Sequence, residues 1–153
     1  RLCRARPAGA AWGLEQVRRN QDLSRALLLE MEARHVPYIE VCAFLTPTDE
    51  ERERHYHLHL LADAGLISVQ DERRFYINDE MPNEDGRTYS RSTVYRLTNA
   101  GHDYLEAIRD ENIWDKTKAV VSETGGNATL EIIKALATAF LKKKISQHTG
   151  VDL

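Results

Sequence analysis

The chain has 153 residues, 42% hydrophobic and 29% charged, with a formal net charge of −3. That length buries one core of useful size, and the composition is that of a soluble globular protein. No apolar run approaches the roughly 20 residues of a membrane-spanning helix, and the charge gives no overall pull toward nucleic acid. The two cysteines, Cys3 and Cys42, make no disulfide framework, so reduced thiols and a cytoplasmic location are expected.

Residues 1–16 show no sustained period and carry Arg1, Arg4 and Arg6 against Glu15. A poorly ordered leader is expected there, in preference to a basic arm reaching along DNA. Val17 is a candidate start of the native chain, since valine codons can initiate translation in bacteria. Residues 17–35 predict a helix, with Leu23, Ala26, Leu27, Glu30 and Met31 on one face. Pro37 ends it at or before Val36. The β-branched and aromatic run from Tyr38 to Phe44 predicts a short strand.

The clearest element covers about residues 47–64. Thr46 with Pro47 offers one helix start, and Thr48 with Glu51 spells a capping box. Leu58, Leu61 and Ala62 share a face. Gly65 follows the last periodic residue, where a helix end favours positive φ. Residues 66–97 then predict a hairpin. Ile67 and Val69 alternate, Arg73 to Ile77 continues extended, Asn78 to Arg87 is turn-rich, and Ser92 to Leu97 returns.

Thr98 is a natural N-cap for a helix that buries Tyr104, Leu105 and Ile108. Asp110-Glu111-Asn112 interrupts the period, and a short helix with Ile113, Trp114, Val120 and Val121 follows until Gly125-Gly126. Asn127 or Thr129 caps a last helix bearing Leu130, Ile132, Ile133, Leu136, Ala137, Phe140, Leu141 and Ile145. So wide an apolar stripe must be covered, by its own domain or by a second copy. Leu130, Ile133, Leu136, Phe140 and Leu141 are the candidate oligomer interface. Lys142-Lys143-Lys144 are read as the last turn, complementing the helix dipole.

The run His57-Leu58-x-Leu60-Leu61-x-x-Ala64-Gly65-Leu66-Ile67 resembles the recognition-helix segment of arsenical-resistance-type repressors. Tyr95-Arg96-Leu97-Thr98-Asn99-Ala100-Gly101-His102-Asp103-Tyr104-Leu105 is similar to the way winged-helix proteins leave the wing. Further matching stretches are Arg19 to Leu23, Leu27 to Glu32 and Ile113-Trp114. Over roughly residues 18–145 the pattern resembles a family of short bacterial and phage-encoded proteins catalogued as a domain of unknown function. This resemblance implies an α+β fold, a winged helix-turn-helix core with a C-terminal helical extension. The implied division is a leader over 1–16, the winged-helix domain over 17–109, the extension over 110–146 and a tail over 147–153. Arg54 stands where the repressor motif carries an apolar residue. Only about a dozen residues, half of them strand, separate the first helix from the recognition helix, so the bracing helix is very short or fused into its start.

A winged helix of this kind puts DNA contacts on the recognition helix, at Arg52, His55, Tyr56 and His59, and on the wing, at Arg73, Arg74, Arg87 and Arg91. For the wing arginines the alternative is an ordinary solvated loop of mixed charge. Against phosphate contact, Asp49, Glu50, Glu51, Glu53 and Asp63 outnumber Arg52 and Arg54 along the helix. His55, His59 and Asp63 share a helix face, but Asp63 is too far from His55 to close a zinc site on one straight helix. His57 is expected to tuck against the wing. No nucleophile, phosphate-loop or paired-cysteine motif is present, so neither catalysis nor a cofactor is expected. The expectation is a small DNA-binding regulator acting as a homodimer. The alternative is an interaction or dimerisation module that uses the fold without DNA.

Overall fold

In the computed structural model, which describes residues 19–74, 86–126 and 128–153, helix α1 (Gln21–Glu32) begins at Asn20. The Asn20 side chain accepts from the Leu23 N–H at 3.1 Å, meeting one of the orphan donors of a first turn. The helix is shorter than the expected 17–35 at both ends. That cap sets its beginning within the described residues, and it closes at Ala33, well before Pro37 forces it to.

Strand β1 (Ile39–Phe44) follows, and helix α2 (Asp49–Asp63) comes only four residues later. Of the two possible helix starts, the chain uses Thr48. Its hydroxyl accepts from the Glu51 N–H at 3.2 Å, and the Glu51 carboxylate accepts from the Thr48 N–H at 2.7 Å. No room remains between β1 and α2 for a separate helix. Gly65 leaves α2 at φ +71°.

Strands β2 (Ile67–Arg74) and β3 (Tyr89–Leu97) pair antiparallel, and β1 pairs antiparallel with β3, giving the order β1-β3-β2. The hairpin tip, with the expected extension over Phe75–Ile77, lies outside the described residues. Helix α3 (Asn99–Ile108) starts at Thr98. The interruption at Asp110 proves to be a helix start, because its carboxylate accepts from the Ile113 N–H at 3.1 Å and caps α4 (Glu111–Glu123). Thr129 caps α5 (Leu130–Thr149), which ends at Gly150. The Lys142–Lys144 run therefore lies inside α5, not in its last turn. The described residues thus form a mixed α+β fold of five helices and one three-stranded antiparallel sheet.

The core joins α1 (Leu27, Leu28), α2 (Leu58, Leu61), β3 (Tyr95), α3 (Leu105, Ile108), α4 (Trp114) and α5 (Ile133), all at 2% exposure or less. Each such side chain contributes about 1.5–3 kcal/mol of burial. Two sequence motifs meet at one seam of this core. The Thr98 N–H donates to the Leu66 carbonyl at 3.0 Å, and its hydroxyl donates to Gly65 O at 2.6 Å while accepting from the Gly101 N–H. Gly101 lies directly over that strand entry, where an added Cβ would stand 2.1 Å from the Leu66 carbonyl oxygen. Among the described residues no helix is long and apolar enough to cross a membrane.

Candidate functional site

The candidate surface lies between α2 and the β2–β3 hairpin, and a β-bulge arranges it. The register slips between Val69 and Asp71, leaving Gln70 without an opposite number. Side chains alternate between sheet faces, so one extra residue reverses which of them point where. Beyond the bulge Glu72 is opposite Thr93, and Arg74 is opposite Arg91. These residues share the face of buried Tyr95, and Glu72 there lies within electrostatic reach of His59 of α2. Asp71 and Arg73 point the other way, with Ser92. Arg73 and Arg74, adjacent in sequence, are therefore on opposite faces of the sheet.

Arg74 and Arg91 are direct cross-strand neighbours, an arrangement that is unfavourable for like charges unless an anion lies between them. Glu72 partly meets that need. Arg74 donates to it at 2.9 Å, and this bond, with the nearby charges of Arg91 and His59, holds the Glu72 carboxyl below the usual range. His59 is exposed beside this cluster. His55 turns inward instead, with Nε2 3.1 Å from the Cys42 carbonyl of β1. Tyr56 is 37% exposed and edges onto the His57 ring at 5.4 Å.

The remaining expected contacts are engaged elsewhere. Arg52 pairs with Asp49 at 2.7 Å, and Arg73 with Asp71 at 3.2 Å. Arg87 crosses from the foot of β3 to the start of α2. It donates to both Glu51 oxygens, at 2.6 and 2.9 Å, and to Thr46 O at 3.1 Å, and it lies 3.9 Å over the Phe44 ring. The Arg87 guanidinium and the Thr48 N–H together hold the Glu51 carboxyl down at about 2. Arg87 thus fastens hairpin to helix. Among the described arginines, only Arg19, Arg91 and Arg96 have no carboxylate in ion-pair reach.

His57 is fully buried, and its partner is not the hairpin. Nδ1 lies 2.8 Å from Glu53 O, and Nε2 accepts from the Asn20 N–H at 2.7 Å. The Glu53 carbonyl and the Asn20 donor together fix the tautomer with the proton on Nδ1. The residue ties α2 to the entry of α1. On α5, Ile133 is buried in the chain's own core, while Leu130, Leu136, Phe140 and Leu141 are half-buried and Ile132 is 50% exposed. Sequence reasoning passed over Asp22, which accepts from the Trp114 indole N–H at 2.8 Å and from Lys118 at 3.0 Å. It also passed over Arg25, which donates to the Ile108 and Arg109 carbonyls at the end of α3. Neither residue carries a local signal, because each partner lies more than eighty positions away. Among the described residues, no three of the His, Cys, Asp and Glu side chains gather in a way that would hold a metal.

The family model described as "Hypothetical protein (DUF2513)" matches residues 18–127, which leaves α5 outside the match. An uncharacterized protein of Haemophilus influenzae is 27% identical over 135 residues, covering 85% of this chain and 100% of that relative. No solved structure matches. With the family model spanning well over half of its length, the chain belongs to the DUF2513 family.

Proposed function

We propose that this protein is a small DNA-binding regulator of the winged-helix type, in which α2 is the recognition helix, β2–β3 the wing and α5 a dimerisation element. The observation that carries the reading is the Arg74–Arg91 pair. The bulge at Gln70 puts Arg74 on the same face of the hairpin as Arg91, with the Glu72 carboxylate bonded to Arg74. A phosphate there would supply the missing countercharge. Exposed pairs such as Arg52–Asp49 are worth little, about 0–1 kcal/mol, and exchange readily for a phosphate. Element order adds support, since a hairpin that follows α2 and folds back onto β1 is the arrangement expected of a wing.

The test is binding to random-sequence duplex DNA across a salt series. The wild type should bind at low salt, with affinity falling steeply as salt rises. Each of Arg74→Ala and Arg91→Ala should lower the slope of log K against log salt by about 0.9. Arg73→Ala, on the opposite face, should leave that slope unchanged. Equal slopes in all three variants would refute the assignment of this face.

A second reading, a protein-interaction module, is favoured by the front of α2. There Asp49 and Glu50 are exposed, and Asp49 is nearly free of cover at 99% side-chain exposure. Carboxylates at a helix N-terminus suit the dipole but repel phosphates. Failure to bind DNA at low salt would move the conclusion to this reading.

A further inference from the structure

A second concave site lies at the corner where α1 ends and α3 begins, with a volume of about 400 Å³. That is within the range of roughly 300–1,000 Å³ typical of small-molecule clefts. Its apolar wall is built from Met31, Val36, Pro37 and Leu97. Met31 and Leu97 are nearly buried, whereas Val36 remains 44% exposed although it lines a recess. The polar side is formed by Arg34, Arg96, Asn99 and His102.

The single acid of the lining is already neutralised. Arg109, which is outside the cleft, donates to both Glu32 oxygens at 2.6 and 2.8 Å, and His102 Nδ1 stands 3.7 Å away. Arg96, by contrast, has no carboxylate partner among the described residues. The one hydrogen bond of its side chain among the described residues is to the carbonyl of the next residue, Leu97, at 3.0 Å. Arg34 shares the Glu30 carboxylate with Arg54, so one anion serves two cations there. The first turn of α3 borders the same recess and carries no acidic residue, so its positive end is not offset either. The cleft thus combines a cationic rim, with one guanidinium unpaired, and an apolar wall.

We propose that this cleft binds a small organic anion, a carboxylate or phosphate monoester on an apolar body. The anionic group would lie on the Arg96 guanidinium, whose planar fork suits both oxyanions. The body would cover Val36 and Pro37. This site is separate from the α2–hairpin face, so it stands whether or not the protein binds DNA.

The experiment titrates the full chain with benzoate, phenyl phosphate, inorganic phosphate and the neutral benzyl alcohol, following backbone amide shifts by NMR. The expected result is saturable binding of benzoate, phenyl phosphate or both, with shifts confined to residues 31–37, 96–99 and 102. Benzyl alcohol and inorganic phosphate should each bind at least tenfold more weakly than the better aromatic anion. Preference between benzoate and phenyl phosphate identifies the head group. Arg96→Gln, a change at an exposed side chain, should weaken binding at least tenfold, and Arg96→Lys should restore part of it. Arg52→Gln, away from the cleft, should have no effect. Benzyl alcohol binding as well as the anions would overturn the proposal. So would undiminished binding in Arg96→Gln, or no saturable shift with either aromatic anion.

Discussion

Replacing Gly101 with alanine tests the seam that holds the helices to the sheet. In an ordinary helix the change stabilises by about 1 kcal/mol. Here the new Cβ would stand 2.1 Å from the Leu66 carbonyl oxygen and 3.1 Å from a Leu97 methyl. Relief requires about 1 Å of movement, far more than a packed backbone yields without disturbing its neighbours. The Leu66 oxygen cannot retreat freely, because it accepts from the Thr98 N–H at 3.0 Å and lies 3.0 Å from the Thr98 hydroxyl. Overpacking of this kind costs about 1–3 kcal/mol, and weakening that backbone hydrogen bond adds about 1 kcal/mol. Set against the helical gain, the net loss is about 2 kcal/mol, a fall in Tm of about 4–8 °C for a chain of this size. Thermal unfolding followed by circular dichroism reads it directly, with Ala100→Gly as the comparison on the exposed side of the same helix. A Gly101→Ala protein that melts at or above the wild-type temperature would refute the claim that this contact dictates glycine.

Thr98→Ala should cost about 1–2 kcal/mol through loss of the α3 cap, with Thr98→Ser retaining most of it in urea unfolding. The Glu51–Arg87 clamp predicts a pH dependence. The folded carboxyl is depressed to about 2, so its contribution is present above the unfolded value near 4.5 and fades as pH falls toward 2. Arg87→Met should therefore lose part of the acid-limb slope of the urea midpoint between those values, and an unchanged slope would remove the clamp. His57→Leu should speed hydrogen exchange at the Asn20 amide, whose acceptor it deletes, while distant α5 amides stay slow. If α5 pairs two copies, Ile132→Asp should shift the sedimentation equilibrium from dimer to monomer, and a wild type that is monomeric at tens of micromolar would end that part of the proposal.

Local signals were legible in this chain. The capping box at Thr48, the N-cap at Thr98 and the helix stop at Gly65 involve partners three residues away or a single backbone angle, and each is where the residues imply. Their conjunction was not legible. Thr98 is bonded to Gly65 and Leu66 across more than thirty residues, which gives a physical reason for two motifs that otherwise look unrelated. Ends governed by competition between signals were misjudged. The first helix, expected over 17–35, runs only from Gln21 to Glu32, and the last continues beyond the lysine run to Thr149.

The candidate surface shows a deeper limit of sequence reading, because charge in a sequence does not distinguish paired from unpaired groups. Arg73, Arg74, Arg87 and Arg91 look equivalent along the chain. In the fold, Arg87 is held by Glu51 from thirty-six residues away, and a one-residue bulge puts Arg73 on the sheet face opposite Arg91. Arg91 alone of the four has no carboxylate in ion-pair reach among the described residues. The same consideration singles out Arg96, which carries no motif and lines a cleft whose one acid is neutralised by Arg109. An arginine whose nearest carboxylates are already engaged keeps most of its electrostatic capacity for a ligand, since a new anion displaces only water. On that ground Arg91, together with Arg74, should contribute to the response to polyanions and Arg96 to the response to small organic anions. The double variant Arg91→Gln with Arg96→Gln should show both losses additively, because the two sites share no partner. A loss of small-anion binding in Arg91→Gln alone would mean that the two surfaces are one, and would undo their separation.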